Sequence, residues 1–165
     1  MFDMARPYFE GYADRRKRAQ ILILGAYSPN PCMARLQGLR DYLRSIGYER
    51  VQLVADFPDE PGEDGDLKSE RVIMSWAAGV LFVFLSGCNN AGVSCEVKFM
   101  DRKIPSLFHT SFVLVERGVD LSGMVKGPLG RQGADETLFS GDAELHELAA
   151  GSCAIILRRC YSSLS

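Results

Sequence analysis

Gly79-Val-Leu-Phe-Val-Phe-Leu85 decides how this chain is read. Its apolar residues follow one another without alternation, so a strand made of them must be covered on both faces. The wider apolar run, Ala77 to Ser86, is about half the ~20 residues that a membrane-spanning helix needs. It reads as a central strand with helices above and below.

On either side of it, Leu67 to Trp76 carries a helical pattern through Leu67, Val72, Ile73 and Trp76, and Gly92 to Arg102 is a second expected helix. Ile21 to Leu24, closed by Gly25, repeats the doubly covered strand pattern. Leu36, Leu39, Leu43 and Ile46 form a helical stripe that Gly47 stops. Val51 to Ala55 is expected as a short strand, Ile104 to Leu107 as another that resumes at Phe112 to Val115, and Thr137 to Ser140 as the last. Ser140 or Asp142 can cap a final helix running to about Tyr161, which Gly151 could split. Glu116 to Gly133 is glycine-rich and shows no period. Strands and helices alternating over short connections specify the α/β class. The expected architecture is a three-layer sandwich with a mostly parallel, flavodoxin- or Rossmann-like sheet of about five strands.

Residues 1–19 end in Arg15-Arg-Lys-Arg18 and read as a helical lead-in whose basic cluster is a solvated face; residues 20–165 read as a single α/β domain. At 47% hydrophobic and 24% charged residues, the chain is neither disordered, collagen-like nor a coiled coil. Lys and Arg number 19 against 21 Asp and Glu, a net charge of -2, so no global basic excess exists to hold duplex nucleic acid. None of the five cysteines sits in a C-x-x-C pair, which speaks against a zinc ribbon or a thioredoxin-type motif. Asp3, Arg6 and Glu10 stand where a secretory signal would be apolar. The expectation is a soluble cytoplasmic protein with reduced thiols and no membrane partner.

Parallel sheets bind ligands beyond the carboxyl ends of their strands. Function therefore belongs to three loops: Gly25 to Pro31, Asp56 to Asp66 with its six acids, and Ser86 to Glu96. No G-x-G-x-x-G, no phosphate-binding G-x-x-x-x-G-K-[ST] and no G-x-S-x-G elbow occurs in them. Gly25-Ala26 and Ser86-Gly87 occupy the places where a receiver domain carries acids. The two histidines, His109 and His146, have no second ligand at a standard spacing, so neither metal nor cofactor is expected. In the third loop Ser94 reads as an N-cap, placing Glu96 in the first helical turn, where the helix terminus favours an ionised carboxylate. Such a group serves as nucleophile or as electrostatic partner of a cation. Asn89 and Asn90 can hydrogen-bond sugar hydroxyls, and Gly92 admits a ligand close to the backbone. Cys95, beside Glu96, reads as a structural thiol rather than a reactive one.

Three segments together resemble the nucleoside 2-deoxyribosyltransferase-like proteins and their relatives, the TIR-type NAD-cleaving domains. They are Ile21-Leu-Ile-Leu-Gly-Ala-Tyr-Ser28, Ser75-Trp-Ala-Ala-Gly-Val-Leu-Phe-Val-Phe-Leu85 and Gly92-Val-Ser-Cys-Glu96. The resemblance spans roughly residues 20 to 110. It differs at Gly25-Ala26, where the transferases have Gly followed by Pro, and at Lys68-Ser-Glu-Arg71, where they carry an Asp-rich base-recognition stretch. It implies that Glu96 attacks the anomeric carbon of a nucleoside or nucleotide, NAD and ADP-ribose among the candidates. Tyr27, Ser28 and Gly25 would line the pocket, Asn89 or Asn90 would bind the ribose, and Asp56 would hold a hydroxyl. A homodimer that completes the site also follows from the resemblance. The alternative is a non-catalytic TIR-like module that senses nucleotides or binds proteins, which an exposed Trp76 would favour.

Overall fold

The computed structural model describes residues 6–162. Residues 1–5, Asp3 among them, and 163–165 lie outside the described residues. The elements run α1 (Arg6–Arg18), β1 (Ile21–Gly25), α2 (Asn30–Ser45), β2 (Gln52–Leu53), α3 (Gly65–Ser75), β3 (Gly79–Phe84), α4 (Ala91–Lys103), β4 (Ser111–Glu116), α5 (Gly123–Arg131), β5 (Glu136–Phe139) and α6 (Gly141–Ser162). Among the described residues the five strands are all parallel, in the order β2-β1-β3-β4-β5. Helices cover both faces, giving a three-layer α/β sandwich.

Every residue of β3 is buried, as its unbroken apolar run requires. Its alternate side chains feed two separate cores. Leu81 and Val83 join Ile21 and Ile23 of β1 under α2 and α6, through Leu36, Leu39, Leu43, Ala149 and Ile156. Val80, Phe82 and Phe84 join Leu22 and Leu24 under α3, α4 and α5, through Val72, Ile73, Val93, Val97, Met100 and Val125. Period-2 alternation along each strand thus splits one apolar sequence between two layers.

Several expected boundaries move. β2 is only Gln52–Leu53, because the chain turns into a 3-10 helix at Val54–Asp56. The Asp56 carboxylate accepts the Leu53 N–H at 2.8 Å and draws the backbone out of the ladder. Ile104 to Leu107 is not a strand. Pro105 opens a 3-10 helix, Pro105–Thr110, and β4 begins at Ser111. The unassigned Glu116 to Gly133 region holds α5, whose Gly127, Pro128 and Gly130 mask its helical pattern. Gly151 does not split α6. Trp76 is half-buried, edge-on to Phe57 at 5.0 Å.

Two cysteines expected as free thiols are joined. Cys32, at the start of α2, and Cys88, after β3, form a disulfide with a Cα–Cα distance of 6.2 Å. Spacing along the chain hides the pair, since 56 residues separate them and only the β1–β3 pairing brings them together. Cys95 is exposed, whereas Cys153 is buried in the α6 core with its thiol pushed up to about 12 by burial. Among the described residues no helix is long and apolar enough to cross a membrane.

Candidate functional site

The chain order reverses between β1, which pairs with β2, and β3, which leads on to β4. A crevice at such a switch point is where sheets of this order take ligands. Here it is a cavity of about 410 Å³ over the carboxyl end of β1, between the segments that follow β2 and β3. Gly25, Tyr27, Ser28, Asn89, Gly92 and Glu96, all singled out in the sequence, line it.

Glu96 comes from a different part of α4 than expected. The helix starts at Ala91 with Asn90 as its N-cap, and Ser94 instead bonds back to the Asn90 carbonyl at 3.0 Å. Glu96 is therefore in the second turn, on the stripe that buries Val93, Val97 and Met100. The residue keeps some exposed surface, but its Oε2 is buried and has no hydrogen-bond partner. Burial pushes its carboxyl up to about 8, opposed by a hydrogen bond from Ser69 and reinforced by the charge of Asp66. The expectation of a helix terminus that favours the ionised carboxylate is corrected: Glu96 lies beyond the first turn, and burial there favours its neutral acid form.

Tyr27 leans over the cavity with its hydroxyl accepting the Ala55 N–H at 3.1 Å. Burial of the phenol, with help from the negative charges of Glu96 and Asp56, pushes it up to about 12, so it remains a neutral donor. Ser28 and Asn89 join the first and third loops, the Asn89 N–H donating to the Ser28 carbonyl at 3.0 Å. The Cys32–Cys88 disulfide makes a second tie between the same two segments. Gly25 is needed for packing as well as for access. A Cβ there would stand 2.8 Å from the Leu36 methyls. Around Gly92 there is open space.

Two of the expected residues lie outside the lining. Asp56 is taken up by Arg40, at 2.6 Å, and by the Leu53 N–H. Asn90 donates to the Leu85 carbonyl at 3.0 Å and so fixes the loop rather than facing the cavity. The histidines are remote: His109 is exposed, and His146 stacks on Tyr42 at 4.8 Å. Among the described residues no group of three or more His, Cys, Asp or Glu is placed to hold a metal ion.

The structure also gives individual places to residues of the second loop and of the segment Lys68-Ser-Glu-Arg71. Asp59, Gly65, Lys68 and Ser69 line the same cavity. The reading of α3 put Leu67 on the buried stripe, yet Leu67 is 52% exposed. Stepping back four residues from Val72 and Ile73 gives Lys68 and Ser69, and these are the buried ones. Polar residues at apolar stripe positions were the available signal. Ser69 and Glu96 also wall a second cavity of about 280 Å³ between α3 and α4, which Asp66, Glu70, Cys95, Lys98, Phe99 and Arg102 complete.

No known family's sequence profile matches the chain, and no curated protein matches it. Two solved chains are similar in fold. One is a CMP N-glycosidase, BcmB, from Clostridium botulinum, superposing with a TM-score of 0.52 at 10% identity over 78% of this chain and 96% of that one.

Proposed function

We propose that this chain cleaves the N-glycosidic bond of a nucleoside or nucleotide, with Glu96 meeting the anomeric carbon. The observation that carries this reading is the buried, unpartnered Oε2 of Glu96 in the wall of a cavity at the switch point of the sheet. The α/β fold shared with a CMP N-glycosidase agrees with it. In the reaction, ionised Glu96 forms a bond to C1′ while the C1′–N bond breaks and its electron pair leaves with the base. Water then adds at C1′, the ester to Glu96 breaks, and the water's proton goes to the departed base. Two displacements at one carbon retain its configuration, as in retaining glycosidases. Tyr27 and Ser28 lie against the sugar, with the tyrosine as a neutral hydrogen-bond donor.

The test is incubation with a panel of nucleosides, nucleoside monophosphates and NAD, with released base or nicotinamide measured by chromatography. Wild-type protein is expected to release base, and Glu96→Gln to lose at least about a hundredfold in rate, the scale of a missing covalent nucleophile. A Glu96→Gln protein as fast as wild type overturns the role of Glu96. Binding without any turnover by the wild type overturns the enzyme reading.

A further inference from the structure

We infer that Lys68 is an anion anchor which Asp59 occupies in the ligand-free chain, and that it selects a nucleoside monophosphate over the bare nucleoside. The choice of substrate rests on the glycosidase reading; the anion site does not.

Lys68 is the basic residue in a largely apolar cavity whose two acidic lining residues are Asp59 and Glu96. Only 9% of it is exposed, and an ammonium that deep needs a partner. Its partner is Asp59, with Nζ to Oδ1 at 2.8 Å. The pair is lopsided: the side chain of Lys68 is 11% exposed and that of Asp59 is 80% exposed. The cation is fixed on the buried stripe of α3, while the carboxylate belongs to the acidic loop before it. Asp59 is the exposed partner of the pair, so it returns to water at little cost when another anion takes its place. Lys68, by contrast, stays fixed on its helix and gains from any anion that replaces Asp59.

The surroundings suit a small anion. An ammonium has three N–H donors, enough for a phosphate to bridge where one carboxylate oxygen now sits. Gly65, one turn earlier on α3, also lines the cavity and has nothing within 4 Å of a would-be Cβ. Ser69, the next residue, is hydrogen-bonded to Glu96. Consecutive residues of one helix thus address a phosphate and the group that meets C1′. Without Lys68, a phosphate dianion would enter a cavity with no cation in its lining and with the acids Asp59 and Glu96 in it. Asp59 keeps the buried ammonium neutralised until such a ligand arrives.

The experiment compares cytidine with cytidine 5′-monophosphate, and adenosine with its 5′-monophosphate, on wild type, Lys68→Met and Asp59→Asn. Inorganic phosphate serves as a competing probe. Wild type is expected to prefer the monophosphates. Lys68→Met should lose at least about tenfold more in kcat/KM on monophosphates than it loses on nucleosides, the pattern of one missing charge-assisted contact. Asp59→Asn removes the competing anion, so it should lower both the KM for monophosphates and the inhibition constant of phosphate. Equal use of both substrate classes by wild type overturns the inference, as does Lys68→Met weakening both alike or Asp59→Asn weakening phosphate binding. Should Lys68→Met fail to fold, the exposed Asp59→Asn change decides alone. If no substrate is turned over, calorimetry with phosphate and the monophosphates still decides. Lys68-dependent binding then upholds the anchor while the glycosidase reading falls.

Discussion

Glu96 is held by opposing influences: a sealed oxygen that favours the acid form, and a Ser69 hydroxyl that favours the anion. If the ionised form is the nucleophile, kcat/KM should rise about tenfold per pH unit and level off above about 8. A falling limb near that pH would reassign Glu96 as a proton donor. The same shift affects stability. Raised from 4.5 to about 8, the folded carboxyl binds a proton that the unfolded one releases. Its contribution is unpenalised below pH 4.5 and worsens by at most about 1.4 kcal/mol per unit between 4.5 and 8. Glu96→Gln should therefore be more stable than wild type above pH 8 and closer to it near pH 4, as urea titrations at both pH values will show. Glu96 was legible in the sequence as a carboxylate near a strand end. Its depth and protonation were not, because both depend on where α4 begins. Lys68 and Ser69 stand in the sequence only as part of a segment where the resemblance breaks, because Leu67, an exposed apolar neighbour, fits a helical stripe just as well.

At the level of elements, the strands declared themselves through composition and the helices through phase. β1 and β3 have no polar residue to mislead, so their double burial was readable. α5 was not, because Gly127, Pro128 and Gly130 are poor helix formers that only packing against α4 makes helical. Two glycines test how tightly these elements meet. A Cβ on Gly79 would stand 2.6 Å from Ile156 Cγ2 and 2.9 Å from the Thr110 carbonyl, so β3 and α6 must part to admit it. Gly79→Ala is expected to cost about 1–3 kcal/mol in denaturant unfolding. Gly92 opens on free space in the first turn of α4, so Gly92→Ala should leave stability unchanged or raise it by up to about 1 kcal/mol. Any effect it has will appear in KM, since the methyl enters the cavity.

Across the molecule, one network ties the carboxyl edge of the sheet to both ends of the chain order. Arg35 on α2 holds Glu116 at the end of β4 in a bidentate pair, 2.9 and 2.6 Å, and also reaches Asp142 on α6 at 2.8 Å. Glu116 in turn accepts the Ser86 N–H at 2.8 Å, fixing the start of the third loop. The Arg35 guanidinium holds the Glu116 carboxyl below its ordinary 4.5. Its stabilisation is present above that value and is lost as pH falls through the lowered one, the opposite sense to Glu96. Glu116→Gln should flatten the loss of stability on acidification, measured by thermal unfolding between pH 5 and 2. The network was invisible in the sequence, since its members are 81 and 107 residues apart.

The Cys32–Cys88 bond reaches beyond packing, into the choice of buffer. It couples the segments that carry Ser28 and Asn89, which are otherwise joined by the Asn89 N–H to Ser28 carbonyl bond. A dithiol added to protect Cys95, the exposed thiol, would cut that bond too and loosen one rim of the cavity. Activity assays and binding titrations carried out in dithiothreitol and in its absence are, in effect, measurements on two different molecules.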